Sequence, residues 1–477
     1  MKKKLGFYSI VLLTINSIIG TGIFLSPGAV VAKSGDKALL VYSFAALFAA
    51  VLAITFAAAA KYVSKGGAAY AYTKAAFGDN WGFYVGITRY IAASIAWGVM
   101  GTGVVKTVLS ILAIDNTNLA NITIGFGCLM GLLLVINLMG TRIFELINNL
   151  STLGKMGALV LTIVVGLGIV LFGHVNEFGK IHTLTDATGN ALGQNLDLSS
   201  WVMAVIAAFY AFTGFESVAS GSEDMEEPEK NLPRAIPLAI AIIAAIYIGI
   251  VGIAMMINPG AIVASTQVVA LADVFANPFI RNMIVLGALI SMFGINVAAS
   301  FHPPRILEAM ALQQQVPDAF AKRTDKGFPM IAFITTIGIA ILLPMAFRFD
   351  MTSIIVLSSI SRFIQFLIVP LAVMVFYFGK EKGEALQQVK KNVVVDVVIP
   401  AIALLLTIVL LYNFSWVEQF TFKLDNGQLV PNTFAIVAMV IGYVILPLGL
   451  MAWKKATAEK LNRFQKNRCI MKEMGAN

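Results

Sequence analysis

Apolar residues run through this chain in blocks of about twenty or more, separated by short polar connections. A helix needs about 20 such residues to cross a bilayer. The blocks fall at about 7–31, 38–60, 81–111, 121–140, 150–173, 200–222, 235–257, 281–311, 329–347, 352–378, 393–414 and 433–453. They predict an all-α polytopic membrane protein with about twelve transmembrane helices. The first block is anomalous. At its midpoint Asn16-Ser17-Ile18-Ile19-Gly20-Thr21-Gly22-Ile23-Phe24 sets two glycines around a β-branched residue. Glycine loses the most backbone entropy on ordering, so the helix is weak there. Bare backbone at bilayer depth is tolerated only where it lines a cavity. The expectation is a helix whose first half ends near Ile18 or Ile19 and whose second half begins near Gly22. In the sixth block, Phe209-Tyr210-Ala211-Phe212-Thr213-Gly214-Phe215-Glu216 again interrupts an apolar run. Interrupted segments at matching positions of two halves point to a transporter site. Close helix packing is the other use of such glycines.

Composition narrows the class. Hydrophobic residues make up 58% and charged residues 12%, against about 25% charged in soluble domains. The net charge of +9 is no nucleic-acid signature, because Lys and Arg gather in alternate connections. Lys2 to Lys4, Lys61, Lys65 and Lys74, Lys322, Arg323 and Lys326, and Lys380, Lys382, Lys390 and Lys391 alternate with basic-poor segments such as 115–120. That pattern places both termini in the cytoplasm of a cell-membrane protein. The first block is too long for a signal peptide and reads as an uncleaved span. Cys128 and Cys469 should lie at different depths, so no disulfide is expected. His174, His182 and His302 form no cluster in the sequence, which argues against a membrane enzyme and against a metal or cofactor. Rings of repeated polar residues that would line a channel are not visible.

The motifs resemble those of the amino acid–polyamine–organocation superfamily of transporters, in order and over nearly the whole length. They are Ile19-Gly20-Thr21-Gly22-Ile23-Phe24, then Gly66-Gly67-Ala68-Ala69-Tyr70-Ala71-Tyr72 with Gly78, then Phe212-Thr213-Gly214-Phe215-Glu216. Glu223 to Asn231 with Pro233 and Arg234 follows, and then Pro304-Arg305 to Val316-Pro317. The resemblance implies a LeuT-type fold: a five-plus-five inverted repeat with helices 1 and 6 broken. Its halves would be 1–173 and 200–378, with helices 11 and 12 over 393–453 and a basic cytoplasmic tail over 454–477. It also implies alternating access around a midplane site.

The two breaks suggest how a zwitterion would be held. The N-terminus of the outer half-helix offers free N–H groups and a positive dipole end, so a carboxylate would sit on Gly20, Thr21 and Gly22. Carbonyls near Ile18, Ile19, Tyr210, Thr213 and Gly214 would take the α-ammonium, with no charged side chain needed. The Tyr210 ring is either a substrate contact or ordinary packing. Ala298, Ala299 and Ser300 leave room beside it. Lys155 stands within the fifth block, where a charge is expensive. It either snorkels to the surface or places its ammonium beside the first break; many superfamily members carry a lysine at the matching position, in place of the sodium ion of other relatives. Glu216 and Arg362 are the other midspan charges. Glu216 could bond unpaired N–H groups, or act as a gate or protonatable group; Arg362 should meet an acid or backbone carbonyls, with a functional contact to substrate or to Glu216 the less favoured alternative. Glu223 and Arg234, joined by Arg89, are expected to close an inner gate. The function expected is secondary active, sodium-independent exchange of neutral amino acids. Proton-coupled symport, or amino acid/amine antiport paired with a decarboxylase, is the alternative. The partners are a small amino acid and the lipid bilayer, with no nucleic acid; the oligomeric state is not legible.

Overall fold

The computed structural model describes all residues except 1–3, 21, 186–190, 193–197, 265–269, 347–350, 384, 387–388, 415, 424–427, 453 and 455–477. Thr21 and the basic tail therefore lie outside the described residues. The chain is almost entirely helical, and each apolar block has become helix. The first block is two helices, α1 (Phe7–Ile18) and α2 (Gly22–Ser34). The second is α3 (Ala38–Tyr62), followed by a short α4 (Ala69–Phe77). Next come α5 (Asp79–Ile111), α6 (Leu119–Leu138) and α7 (Thr141–Phe172). The sixth block is α8 (Leu198–Tyr210) and, beyond a turn, a 3-10 segment over Phe215–Asp224. Then follow α9 (Pro228–Ile257), the short α10 (Pro259–Ala264) and α11 (Ala270–Asp273), and α12 (Pro278–Leu312). The last blocks are α13 (Met330–Ala346), α14 (Met351–Tyr377), α15 (Ile399–Tyr412), a short α16 (Trp416–Gln419) and α17 (Thr433–Val440).

Two differences from the sequence reading have clear causes. The fifth span begins at Thr141 rather than near 150. Its first turns carry Arg142, Glu145, Asn148 and Asn149, so hydropathy understates a helix that extends past the apolar layer. Glu145 there accepts from Ser9 of α1 at 2.6 Å. The sixth span does not resume as α-helix after its break. The segment from Phe215 winds as 3-10 helix with a non-helical Gly221, where an added Cβ would run into the Phe301 ring. The connection at 415–432 also holds a small antiparallel pair, Thr421–Lys423 against Leu429–Pro431, too short to register in a hydropathy pattern.

α1, α3, α5, α9 and α12 pack into the centre of the bundle. Fully buried Trp97, Tyr42, Tyr247, Phe212 and Phe215 fill it. α6, α7 and α15 instead turn apolar side chains outward, among them Leu132, Leu153, Val164 and Leu405. Such faces are stable only against lipid, where no polar alternative is on offer. Among the described residues, eight helices are long and apolar enough to cross a membrane, and four shorter apolar helices accompany them. The protein is a multi-pass membrane protein.

Candidate functional site

The two interruptions meet at the centre of the bundle. α1 ends at Ile18, and Ile19 turns extended (φ −71°, ψ 102°) before α2 starts at Gly22. In the sixth span Gly214 has φ +126°, a conformation that only glycine adopts easily. A Cβ on Gly214 would strike the carbonyl of Ser17, so each break is packed against the other. Gly22 fits the same way, since a Cβ there would lie 2.9 Å from the Ala211 Cα.

Lys155 does not snorkel. It is fully buried on α7, and its Nζ donates to the carbonyls of Ile19 at 2.5 Å and Asn16 at 3.3 Å. The ammonium thus caps the C-terminal end of α1, the negative pole of the half-helix. Ser291 of α12 donates to the carbonyls of Ile19 (3.2 Å) and Gly20 (3.3 Å). Asn16 ties the same turn to Asn148 and to the Gly294 carbonyl at 2.8 and 2.9 Å. Backbone groups freed by the break are therefore held by α7 and α12.

Beside the breaks lies a cavity lined by Ser17, Ile18, Gly20, Gly22, Tyr210, Thr213 and Gly214. Of the expected seat, Ile19 is buried behind it, with its carbonyl taken by Lys155 and Ser291. Tyr210 is 39% exposed, so its ring is not core packing. Its carbonyl, expected to be free, already accepts from the Thr213 hydroxyl at 2.8 Å and the Thr213 N–H at 3.3 Å. On α12 the wall is Ile295, Ala299, His302 and Pro303. Ser300 instead faces Asn137, at 2.9 Å, and Ala298 is fully buried. Pro303 and Pro304 lack the N–H groups that would bond the carbonyls of Ala299 and Ser300, which loosens the helix beside the cavity.

The cavity also carries charge. Arg89 and Arg362 line it. Glu216 sits between them: its Oε1 lies 3.0 Å from Arg362 Nε and 3.7 Å from Arg89 Nη2. Its Oε2 accepts from the Gly214 N–H at 2.7 Å. Glu216 thus bonds the freed backbone of the break, as one reading held. Arg362 finds its acid in Glu216, the less favoured of the readings. Arg89 also donates to the Ser217 hydroxyl. Arg89 does not join an inner gate.

Where an inner gate was expected, an ion cluster has other members. Between the cavity and the end of the bundle where α1 begins, Arg305 Nε donates to Asp224 at 2.6 Å. Arg323 donates to Asp224 at 2.7 Å and pairs with Glu308. Glu223 lies 3.9 Å from Arg323, not from Arg234, which is exposed on α9 and has no ion pair among the described residues. Burial disfavours the Arg323 charge, but the bonds to Glu308 and Asp224 outweigh it and push its pKa up. Backbone bonds close the same end, from Leu5 N–H to the Asp224 carbonyl (2.8 Å) and from Gly67 N–H to the Ser220 carbonyl (2.9 Å). The cluster joins residues up to 99 positions apart, so no spacing in the sequence could mark it. His302 was missed for the same reason; its Nε2 is 2.8 Å from the Ser17 hydroxyl at the first break.

The chain matches the amino acid permease family over residues 5–446. It is 42% identical to an uncharacterized transporter of Mycobacterium tuberculosis, over 93% of each chain. It is 27% identical to a serine/threonine exchanger of Bacillus subtilis, over 69% of this chain and 72% of that one. It is 26% identical to a branched-chain amino acid permease of the same organism, over 87% and 89%. A match of this extent, on a helical membrane bundle broken at its first and sixth spans, shows that the chain belongs to the amino acid permease family, a family of transporters rather than enzymes.

Proposed function

We propose that the protein is a sodium-independent amino acid exchanger that works by alternating access, built as two inverted five-helix halves with both termini cytoplasmic. One observation carries this reading. Two helix breaks face one cavity, and the end of α1 there is occupied by the Lys155 ammonium. The N-terminus of α2 lies at the cavity at Gly22, with the positive end of its dipole. It would hold the substrate carboxylate. The carbonyl of Ile18 and those around Thr213 would hold the ammonium. A cation fixed at Asn16 and Ile19 stands where a coupling sodium ion would otherwise be needed, so gradient coupling to sodium is not required. The charges at the cavity wall are two arginines and their shared Glu216, which disfavours substrates with cationic side chains and is compatible with neutral ones. The serine/threonine exchanger among the relatives supports exchange as the mode.

Proteoliposomes loaded with unlabelled amino acids test this. Uptake of labelled amino acid should need internal amino acid and stay unchanged when sodium is replaced by potassium. Uptake into empty vesicles that follows a pH gradient would instead favour proton symport.

A further inference from the structure

The charge in the cavity does not balance. Arg89 and Arg362 share one carboxylate, Glu216. Lys155 lies outside the lining, with its ammonium on the carbonyls behind the first break. Arg89 is 4% exposed, and its Nη1 is buried without a hydrogen-bond partner among the described residues. His302, also 4% exposed, has its Nδ1 in the same condition on the same wall. An unpaired buried cation is costly in a low-dielectric site, and an unmade charge-assisted hydrogen bond adds to that cost. The acids nearer the end of the bundle, Glu223, Asp224 and Glu308, lie by Arg305 and Arg323 and do not line the cavity.

A zwitterionic ligand brings no net charge to this cavity. A ligand that also carries a side-chain carboxylate brings one negative charge, which would restore the balance. Arg362 is placed to receive it. Its Nε is held by Glu216, its guanidinium lines the cavity, and the guanidinium carbon is 5.9 Å from the Tyr210 ring centroid. A guanidinium held at its Nε by a carboxylate and lining the cavity suits carboxylate recognition. Resting on the exchanger reading of this site, we infer that the preferred substrates are acidic amino acids, with the side-chain carboxylate received by Arg362 and the open Nη1 of Arg89.

Isosteric pairs make the test. The full-length protein in proteoliposomes would exchange labelled glutamate or aspartate against glutamine or asparagine, which differ only in charge. Glutamate should half-saturate exchange at a concentration about ten- to a hundredfold below glutamine, the scale of one hydrogen bond to a charged group. Arg362→Gln should erase that ratio. Should this variant fail to fold, the wild-type ratio decides alone. Glutamine exchanged as well as glutamate, or an unchanged ratio in Arg362→Gln, would overturn the acidic-substrate inference and leave the exchanger reading standing. No exchange of any amino acid would overturn both.

Discussion

Lys155 concentrates the residue-scale physics of the site. A lysine in an apolar span costs several kcal/mol unless its charge is met, and here two carbonyls at the end of α1 meet it. Lys155→Ala removes the ammonium and leaves those carbonyls unpaired in a buried place. Exchange should fall by at least about tenfold, on the scale of one hydrogen bond to a charge, while the amount of protein in the membrane stays near wild type. Initial rates normalised to immunoblot intensity check this; a normal rate would remove Lys155 from the mechanism. Gly22 carries a steric constraint instead. With the Ala211 backbone 2.9 Å from where a Cβ would sit, Gly22→Leu has to push the two breaks apart and cover the α2 N-terminus. Substrate-induced thermal stabilisation, which reports binding to the folded state, should vanish in that variant.

At the scale of elements, the broken spans and the ion cluster work against each other. Gly214 joins α8 to the 3-10 segment with a left-handed backbone packed on Ser17. Gly214→Ala should cost about 1–3 kcal/mol through backbone strain alone, read as a lowered melting temperature in detergent. The 3-10 segment then runs to Asp224, which Arg305 and Arg323 both grip. Asp224→Asn keeps the shape and removes the charge, so that end should open more often. A Ser220→Cys reporter, with Cys128 and Cys469 replaced by serine, tests the point. Ser220 is buried behind the cluster, and its thiol should alkylate several-fold faster with Asp224→Asn than without. Equal rates would show that the cluster is structural and not a gate.

For the whole molecule, the question is how the outer helices dock on the core. Asp396 is fully buried in the turn that opens α15. It accepts from Lys61 Nζ at 2.7 Å and from the Tyr62 hydroxyl at 2.8 Å, both at the end of α3. Asp396→Asn leaves the lysine without its acid and should lower stability by about 2–3 kcal/mol, the value of hydrogen bonds to a charged group. Thermal unfolding should report the loss, while exchange per folded molecule stays near wild type because this contact lies away from the cavity.

Much of this was already legible in the chain. Twenty-residue apolar blocks dictate spans because backbone in lipid must bond to itself. The ends expected from Gly20 and Gly22, near Ile18 or Ile19 and near Gly22, fall within a residue of the observed ends of α1 and α2. Lys155 stood out because a charge in an apolar run requires a partner. These are local properties, set by neighbours along the chain. The partners themselves were not local. The chain could show that Arg362 needs an acid but not that Glu216, 146 positions away, supplies it. Nor could it show that Arg89 turns to the cavity, or that Arg323 meets Glu223 where Arg234 was expected. Hydropathy and helix propensity act over one turn or one span. Charge pairing acts across space, and only packing α5, α12 and α14 around the two breaks brings two arginines to one glutamate.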